Sequence, residues 1–176
     1  MNASRMTLSR LFIIAGDSTS GKDEIIRAVY SLGGCHAKII SKYTSRKQRA
    51  DDGPEIICSD NPKFIDYKNC DISYEVNDRT YYINSNDIWD GMRTGLFQVI
   101  SVSDAKTINI LKSKFGNAVV LVYVHSSYSD NKDDALELFT TNFDKFNHVL
   151  IYEGIKEDLY DQIFRLFRAY EKGYLN

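Results

Sequence analysis

The stretch Leu11-Phe12-Ile13-Ile14-Ala15-Gly16-Asp17-Ser18-Thr19-Ser20-Gly21-Lys22-Asp23 decides how the rest of the chain is read. Its first five residues form an apolar run stopped by a glycine, as expected of a parallel strand buried on both faces. Gly16, Gly21 and Lys22 then stand at the Gly-x-x-x-x-Gly-Lys spacing of a phosphate-binding loop. Glycines let the backbone curl tightly, so that its N–H groups can cradle phosphate oxygens. The helix that follows points its positive end at the same place. Lys22 adds a mobile positive charge for the outer phosphates. The alternative is a tight strand-to-helix turn with no ligand. One position departs from the motif: the usual Ser or Thr, whose hydroxyl ligates magnesium, is replaced by Asp23. A carboxylate is a good ligand for a hard metal but adds negative charge beside a polyphosphate. Asp23 therefore either holds magnesium, directly or through water, or weakens nucleotide binding.

Outward from the loop, apolar runs alternate with helical patterns. Lys22 to Leu32 carries Ile25, Ile26, Val29, Tyr30 and Leu32 at helical spacing and ends at Gly33-Gly34. Ala37 to Ser41 reads as the next strand. Arg49 to Asp60 holds Pro54, with Pro62, the second of the chain's two prolines, just after it, and reads as a loop. Tyr74 to Asn84 alternates weakly around Asn77-Asp78, a hairpin turn. Asp87 to Thr94 is helical, Phe97 to Val102 a strand, and Asp104 to Phe115 a helix capped by Asp104 and stopped by Gly116. Ala118 to His125 and Val149 to Tyr152 are strands. Ile155 to Glu171 is an amphipathic helix with Leu159, Ile163, Leu166, Phe167 and Tyr170 on one face. Such alternation predicts an α/β fold with a parallel sheet between two helical layers, its ligands at the carboxyl ends of the strands. Gly16 falls at such an end.

The chain has 176 residues, a length that suits a single domain, 1–176. A formal net charge of −2 gives no sign of a general nucleic-acid binder. No apolar run approaches a membrane span, and Met1 to Arg10 lacks the apolar centre of a secretory signal. Cys35, Cys58 and Cys70 match no zinc spacing and read as free thiols in a reducing compartment. A cytoplasmic location is expected. His36, His125 and His148 have no partner at ligand spacing and read as packed or surface residues. Asp130 to Asp134 lacks the glycine and glutamate of a calcium loop. Oligomeric state leaves no mark on the sequence.

Three segments resemble the guanylate-kinase-like group of nucleotide phosphotransferases. They are Gly16 to Asp23, with Ser18 matching the family's loop serine; Lys42-Tyr-Thr-Ser-Arg46-Lys-Gln-Arg49, similar to Thr-Thr-Arg-x-Pro-Arg; and Arg79-Thr-Tyr-Tyr82-Ile-Asn84, similar to Asn-Tyr-Tyr-Gly-Ser. Their order and rough spacing agree from Leu11 to about His125, and the final strand and helix also fit. The resemblance implies a P-loop NTPase three-layer fold with a small acceptor-binding β insertion at about 42–84 and a reduced lid at about 126–146. It implies ATP and magnesium (Mg2+) as cofactors, held by Gly16, Asp17, Ser18, Thr19, Ser20, Gly21, Lys22, Asp23 and Glu24, with Asp23 at the metal. It puts Arg46, Arg49 and Tyr82 on the phosphate of a small acceptor, with Lys42, Asn84, Ser101 and Ser103 also in the substrate set. Lys22, Arg46 and Arg49 form the catalytic set. Arginine forks suit phosphate oxygens; the alternative for Arg46 and Arg49 is a solvated basic turn, and for Tyr82 a packed strand aromatic.

Two departures qualify this resemblance. Guanylate kinases carry acidic residues where this chain has Ser101 and Ser103, and a glutamate near the position of Ser73. Those carboxylates help recognise guanine, so their loss tells against GMP. In these places the chain is more similar to the ribose 1,5-bisphosphate phosphokinases, which share Gly21-Lys22-Asp23, a basic residue like Lys42 and a serine like Ser103. Second, family members carry lid arginines that stabilise the transferring phosphoryl group. Here no arginine occurs between Arg93 and Arg165, and Asp130, Asp133 and Asp134 make the lid segment acidic, with only Lys132 and Lys145 as substitutes. Losing arginine stabilisation costs ~10³-fold or more in rate. The expected function is an ATP-dependent phosphotransferase acting on GMP, dGMP or ribose 1,5-bisphosphate. Such a kinase is slow or borrows an arginine from a partner. The alternative is a catalytically weakened nucleotide- or peptide-binding module.

Overall fold

The computed structural model describes residues 9–16, 20–32, 36–59, 69–76, 78–102, 104–127 and 145–175. In chain order the elements are β1 (Leu11–Gly16), α1 (Lys22–Ser31), β2 (Ala37–Ile39), β3 (Lys42–Thr44), β4 (Ile56–Cys58), β5 (Ile72–Val76), β6 (Arg79–Ile83), α2 (Ser85–Arg93), β7 (Phe97–Ser101), α3 (Ala105–Phe115), β8 (Val119–Ser126), β9 (His148–Tyr152) and α4 (Lys156–Glu171).

The apolar run of β1 lies at the centre of a five-stranded parallel sheet ordered β2-β7-β1-β8-β9. Its side chains alternate between two cores, as the period of a strand requires. Phe12 and Ile14 pack with Ile25 and Val29 of α1 and Leu159, Ile163 and Phe167 of α4. Leu11, Ile13 and Ala15 pack with Ile88 of α2 and Ile108 and Leu111 of α3. The Phe12 ring meets Phe167 and Tyr170 edge-on, at centroid distances of 4.9 and 5.3 Å. Each such fully buried side chain stabilises the fold by about 1.5–3 kcal/mol. The result is the three-layer α/β architecture that the alternation of elements predicts.

Local chemistry sets the helix starts. Asp104 caps α3, its carboxylate accepting from the Thr107 N–H at 2.7 Å. Asn84 caps α2 by accepting from Asn86 N at 2.9 Å. The Asp71 carboxylate also accepts from the Ser85 N–H and hydroxyl, at 2.9 and 2.6 Å.

A second sheet, ordered β4-β3-β6-β5, sits in the span 42–84. Here the structure corrects three sequence readings. The strand expected over Ala37 to Ser41 is two strands in two sheets: β2 ends at Ile39, Ile40 is buried, and β3 starts at Lys42. The chain hands itself from one sheet to the other because Ile40 joins the core beneath both. The segment 49–60, expected to be all loop, contains β4, whose Ile56, Ile57 and Cys58 pair in parallel with Lys42, Tyr43 and Thr44. Proline and glycine upstream hid this short apolar run. The hairpin of β5 and β6 starts two residues earlier than expected, at Ile72, because Ile72 pairs with the buried Ile83. Asn77 lies outside the described residues, and Asp78 takes a left-handed φ of 58° at the turn.

Of the cysteines, Cys58 and Cys70 are not joined to each other by a disulfide, and Cys35 lies outside the described residues. His36 pairs with Glu171 at 2.6 Å and His148 with the Tyr170 hydroxyl at 2.9 Å. No described helix is long and apolar enough to cross a membrane.

Candidate functional site

The chain leaving β1 runs to β2 on one side of the sheet, and the chain leaving β8 runs to β9 on the other. Ligand crevices of open α/β sheets form at such a divergence, at the carboxyl ends of the strands. Gly16 is the last residue of β1, opposite Val124 of β8. Close contacts require glycine at both ends of the motif. A Cβ on Gly16 would lie 2.5 Å from the Val124 carbonyl oxygen and 2.6 Å from Ser20 Oγ. Gly21 has a φ of +98°, and a Cβ there would lie 2.8 Å from Tyr152 Cδ1 and 3.1 Å from Leu159 Cδ2.

Lys22 opens α1 and folds back, its Nζ donating to the Gly16 carbonyl at 2.6 Å. The first helical bond of α1 is made by the Ile25 N–H to Gly21 O, so the N–H groups of Lys22, Asp23 and Glu24 have no carbonyl of their own helix to reach. Ser20 is fully buried, and its Oγ has no hydrogen-bond partner among the described residues. A cradle that any Cβ would fill, a lysine across its mouth and a helix N-terminus behind it form a donor set that fits a polyphosphate. Asp17, Ser18 and Thr19 lie outside the described residues. Asp23 is exposed on the first turn. The Glu24 side chain turns away to α4, pairing with Arg27, with Lys156 at 3.3 Å and with the Tyr160 hydroxyl at 3.4 Å. Among the described residues no group of three or more His, Cys, Asp or Glu side chains gathers at metal-holding distance.

The second sheet divides the other expected site residues between its two faces. Lys42 and Thr44 share a face with Tyr81, since Thr44 opposes Tyr81 across β3 and β6. Lys42 Nζ donates to the Ser101 carbonyl at the end of β7, at 3.1 Å, which bridges the two sheets. Burial lowers the Lys42 pKa; Glu55, Asp23 and Asp52 pull it back up and Arg46 pushes it further down. Tyr82 opposes Tyr43 on the other face. There the Tyr43 hydroxyl bonds Asp87, which also accepts from Asn84 Nδ2 at 3.4 Å. The structure thus brings Lys42, Arg46 and Ser101 together and groups Tyr82 and Asn84 apart from them. Ser103 and residues 128–144 of the expected lid, with Asp130, Lys132, Asp133 and Asp134, lie outside the described residues.

Arg46 is enclosed. Its Nε donates to the Tyr81 hydroxyl at 2.9 Å, and its two terminal nitrogens clamp the two oxygens of Asp52, one of these bonds at 2.7 Å. The two side chains are only 9% and 6% exposed. Hydrogen bonds from Arg46 hold the Asp52 carboxyl down at about 2. Arg49 is exposed; its backbone N–H donates to Asp52 at 2.6 Å. Glu55 is 8% exposed, packs over Gly53, and has one carboxylate oxygen without a hydrogen-bond partner among the described residues. Its carboxylate also bonds Tyr30 on α1, whose hydroxyl is pushed up to about 12 by burial and then by Glu55.

Asp52, Glu55, Tyr81 and Tyr30 escaped the sequence reading. A signal existed for Asp52: Arg49-Ala-Asp-Asp-Gly-Pro is turn-forming, and such a turn carries a carboxylate back toward the preceding arginines. For Tyr81 the strand period would have sufficed once the β3–β6 register was known.

No protein-family model and no curated protein matches the chain. Among solved structures, guanylate kinase from Anaplasma phagocytophilum matches with a TM-score of 0.70 at 12% sequence identity, over 92% of this chain and 86% of that one. Together with the parallel sheet and the glycine-built loop at its divergence point, this match identifies the fold of the chain as the guanylate-kinase-like P-loop fold.

Proposed function

We propose that the chain is an ATP-dependent phosphotransferase that moves the γ-phosphoryl of ATP to a small phosphorylated acceptor, GMP, dGMP or ribose 1,5-bisphosphate. The observation that supports it most is the loop itself: glycines demanded by close contacts at Gly16 and Gly21, and Lys22 folded across the opening. In this reading Gly16 to Glu24 would hold the nucleotide, chiefly through backbone N–H groups, and Asp23 would ligate magnesium. Magnesium-ATP supplies the transferable phosphoryl group. Lys22 neutralises charge on the outer phosphates, and the acceptor enters from the β3–β6 side, where Lys42 and Arg49 present positive charge. The working location is the cytoplasm, with its supply of ATP.

The test is calorimetry with magnesium-ATP on the native chain and on Lys22→Ala, followed by a phosphotransfer screen against GMP, dGMP and ribose 1,5-bisphosphate. Loss of ATP binding in Lys22→Ala is expected, since the lysine's charge-assisted contacts are each worth about 1.5–3 kcal/mol. Unchanged ATP affinity and turnover would sink the proposal.

A second reading has an observation of its own. The cations Lys42, Arg46 and Arg49 sit among the carboxylates Asp23, Asp52 and Glu55, so the acceptor side offers little net positive charge. That suits a catalytically weakened binding module. No heat with ATP at millimolar concentration would favour the module over the kinase.

A further inference from the structure

The fork of an arginine binds phosphate through paired N–H groups, and those of Arg46 are already taken. Its Nε meets Tyr81 at 2.9 Å, one terminal nitrogen meets Lys47 O at 2.8 Å and Asp52 Oδ2 at 2.7 Å, and the other terminal nitrogen meets Asp52 Oδ1. Four of the five donors of the guanidinium are therefore engaged. The clamp is built in, not incidental. Asp52 is also held by the Arg49 N–H at 2.6 Å and by Cys58 Sγ at 3.7 Å, and the turn closes with the Asp52 N–H donating to Arg49 O at 3.3 Å. Nothing in the resemblance to known phosphotransferases assigns a role to this carboxylate.

We propose that Asp52 is a specificity-determining residue of the acceptor site: it withholds the Arg46 fork, so that an acceptor phosphate is met by Arg49 and Lys42 and not by an arginine pair. The proposal deepens the reading of the β3–β6 side as the acceptor side and rests on it. Its chemical content is a bias in how GMP, dGMP or ribose 1,5-bisphosphate is held: less by the phosphate dianion and more by the rest of the acceptor. A dianion gains most from a second guanidinium and loses most from a neighbouring ionised carboxylate. The bias is then set by a residue outside the arginine motif.

The probe is inorganic phosphate, followed by calorimetric titration of the full chain. Asp52→Asn keeps the shape and the hydrogen-bond acceptor while removing the charge. It is expected to tighten phosphate binding about tenfold, the effect of one charge-assisted hydrogen bond made available. Adding Arg46→Lys, which keeps the charge and loses the fork, is expected to cancel that gain. In the native background the same Arg46→Lys change is expected to shift affinity less than about twofold, because the fork is not offered there. The dependence on Arg46 assigns the gain to this site and not to the β1–α1 loop.

Failure of Asp52→Asn to tighten binding overturns the proposal, as does a gain that survives Arg46→Lys. Should Asp52→Asn not fold, Arg46→Lys alone decides: a fall of about tenfold in phosphate affinity means that the fork was in use. Magnesium-ATP affinity, measured on the same proteins, tests the donor loop separately. Its absence throughout would remove the kinase reading and leave the phosphate result standing.

Discussion

Gly16 and Gly21, at the two ends of the β1–α1 connection, and the β3–β4 turn each stand beside a strand end, and they are shaped by opposite means. At the first, shape comes from the absence of side chains: a methyl group on Gly16 would lie 2.5 Å from a backbone oxygen. At the second, shape comes from charge: Asp52 draws Arg46 and the Arg49 N–H onto one carboxylate. A steric device is indifferent to salt and acid. An electrostatic one depends on ionisation and on both partners being present. The contrast also bears on function, because the first arrangement leaves the backbone N–H groups at the start of α1 outside their own helix's hydrogen bonds, while the second engages the donors of Arg46.

The largest effect expected is from Arg46→Ala. It strands Asp52, only 6% exposed, without its counter-charge. Removing one partner of a buried pair costs about 3–5 kcal/mol, read from the denaturant midpoint. Replacing both partners, as in Arg46→Ala with Asp52→Ala, should recover much of that loss. A single-variant loss under about 1 kcal/mol, the range of a surface pair, would break the comparison by showing the turn is not held by charge.

Gly16→Ala comes next. The opposing atom on β8 is backbone and cannot swing away, so overpacking should cost about 1–3 kcal/mol. The loss should be the same at low and high salt, whereas that of Arg46→Ala should not. Equal salt sensitivity in both variants would erase the distinction.

Acid sharpens it further. The Asp52 carboxyl is depressed from 3.8 to about 2 in the folded chain. A depressed carboxylate stabilises the fold fully above its unfolded pKa and loses that stabilisation as pH falls through the folded value. Native stability should therefore decline by about 2 kcal/mol between roughly pH 4 and pH 2 on account of Asp52. Asp71, also held near 2, adds less because its side chain is 42% exposed. Comparing acid titrations of the native chain and Asp52→Asn isolates the first contribution. Identical acid slopes in the two would count against it.

What could be read in advance follows the same division. Local backbone demands leave a spacing in the sequence, so Gly16, Gly21 and Lys22, the central strand and the Asp104 cap were all legible. Periodicity carried the helices and the long strands. The three-residue strands of the second sheet were not legible, because Lys42 to Thr44 and Ile56 to Cys58 are too short to show a period. Without their register, nothing could say that Tyr81 and not Tyr82 faces Arg46. The occupancy of Arg46 was hidden for a different reason. A phosphate-binding arginine and an arginine sealed by a carboxylate six residues on have the same motif, and only the turn geometry separates them.

The smallest effect concerns whether the two regions are independent. Tyr30 stands near the end of α1, the helix that begins at Lys22, and its hydroxyl bonds Glu55 in the β3–β4 connection. Tyr30→Phe removes that bond and leaves Glu55, already holding one carboxylate oxygen without a partner among the described residues, less satisfied still. A cost of about 1 kcal/mol is expected, with faster amide exchange in β3 and β4 than in β1. If β1 and α1 loosen to the same degree, the steric and the electrostatic device are one cooperative unit. If only the second sheet loosens, Glu55 is a strut between α1 and a separately adjustable second sheet, and the two regions can be altered one at a time.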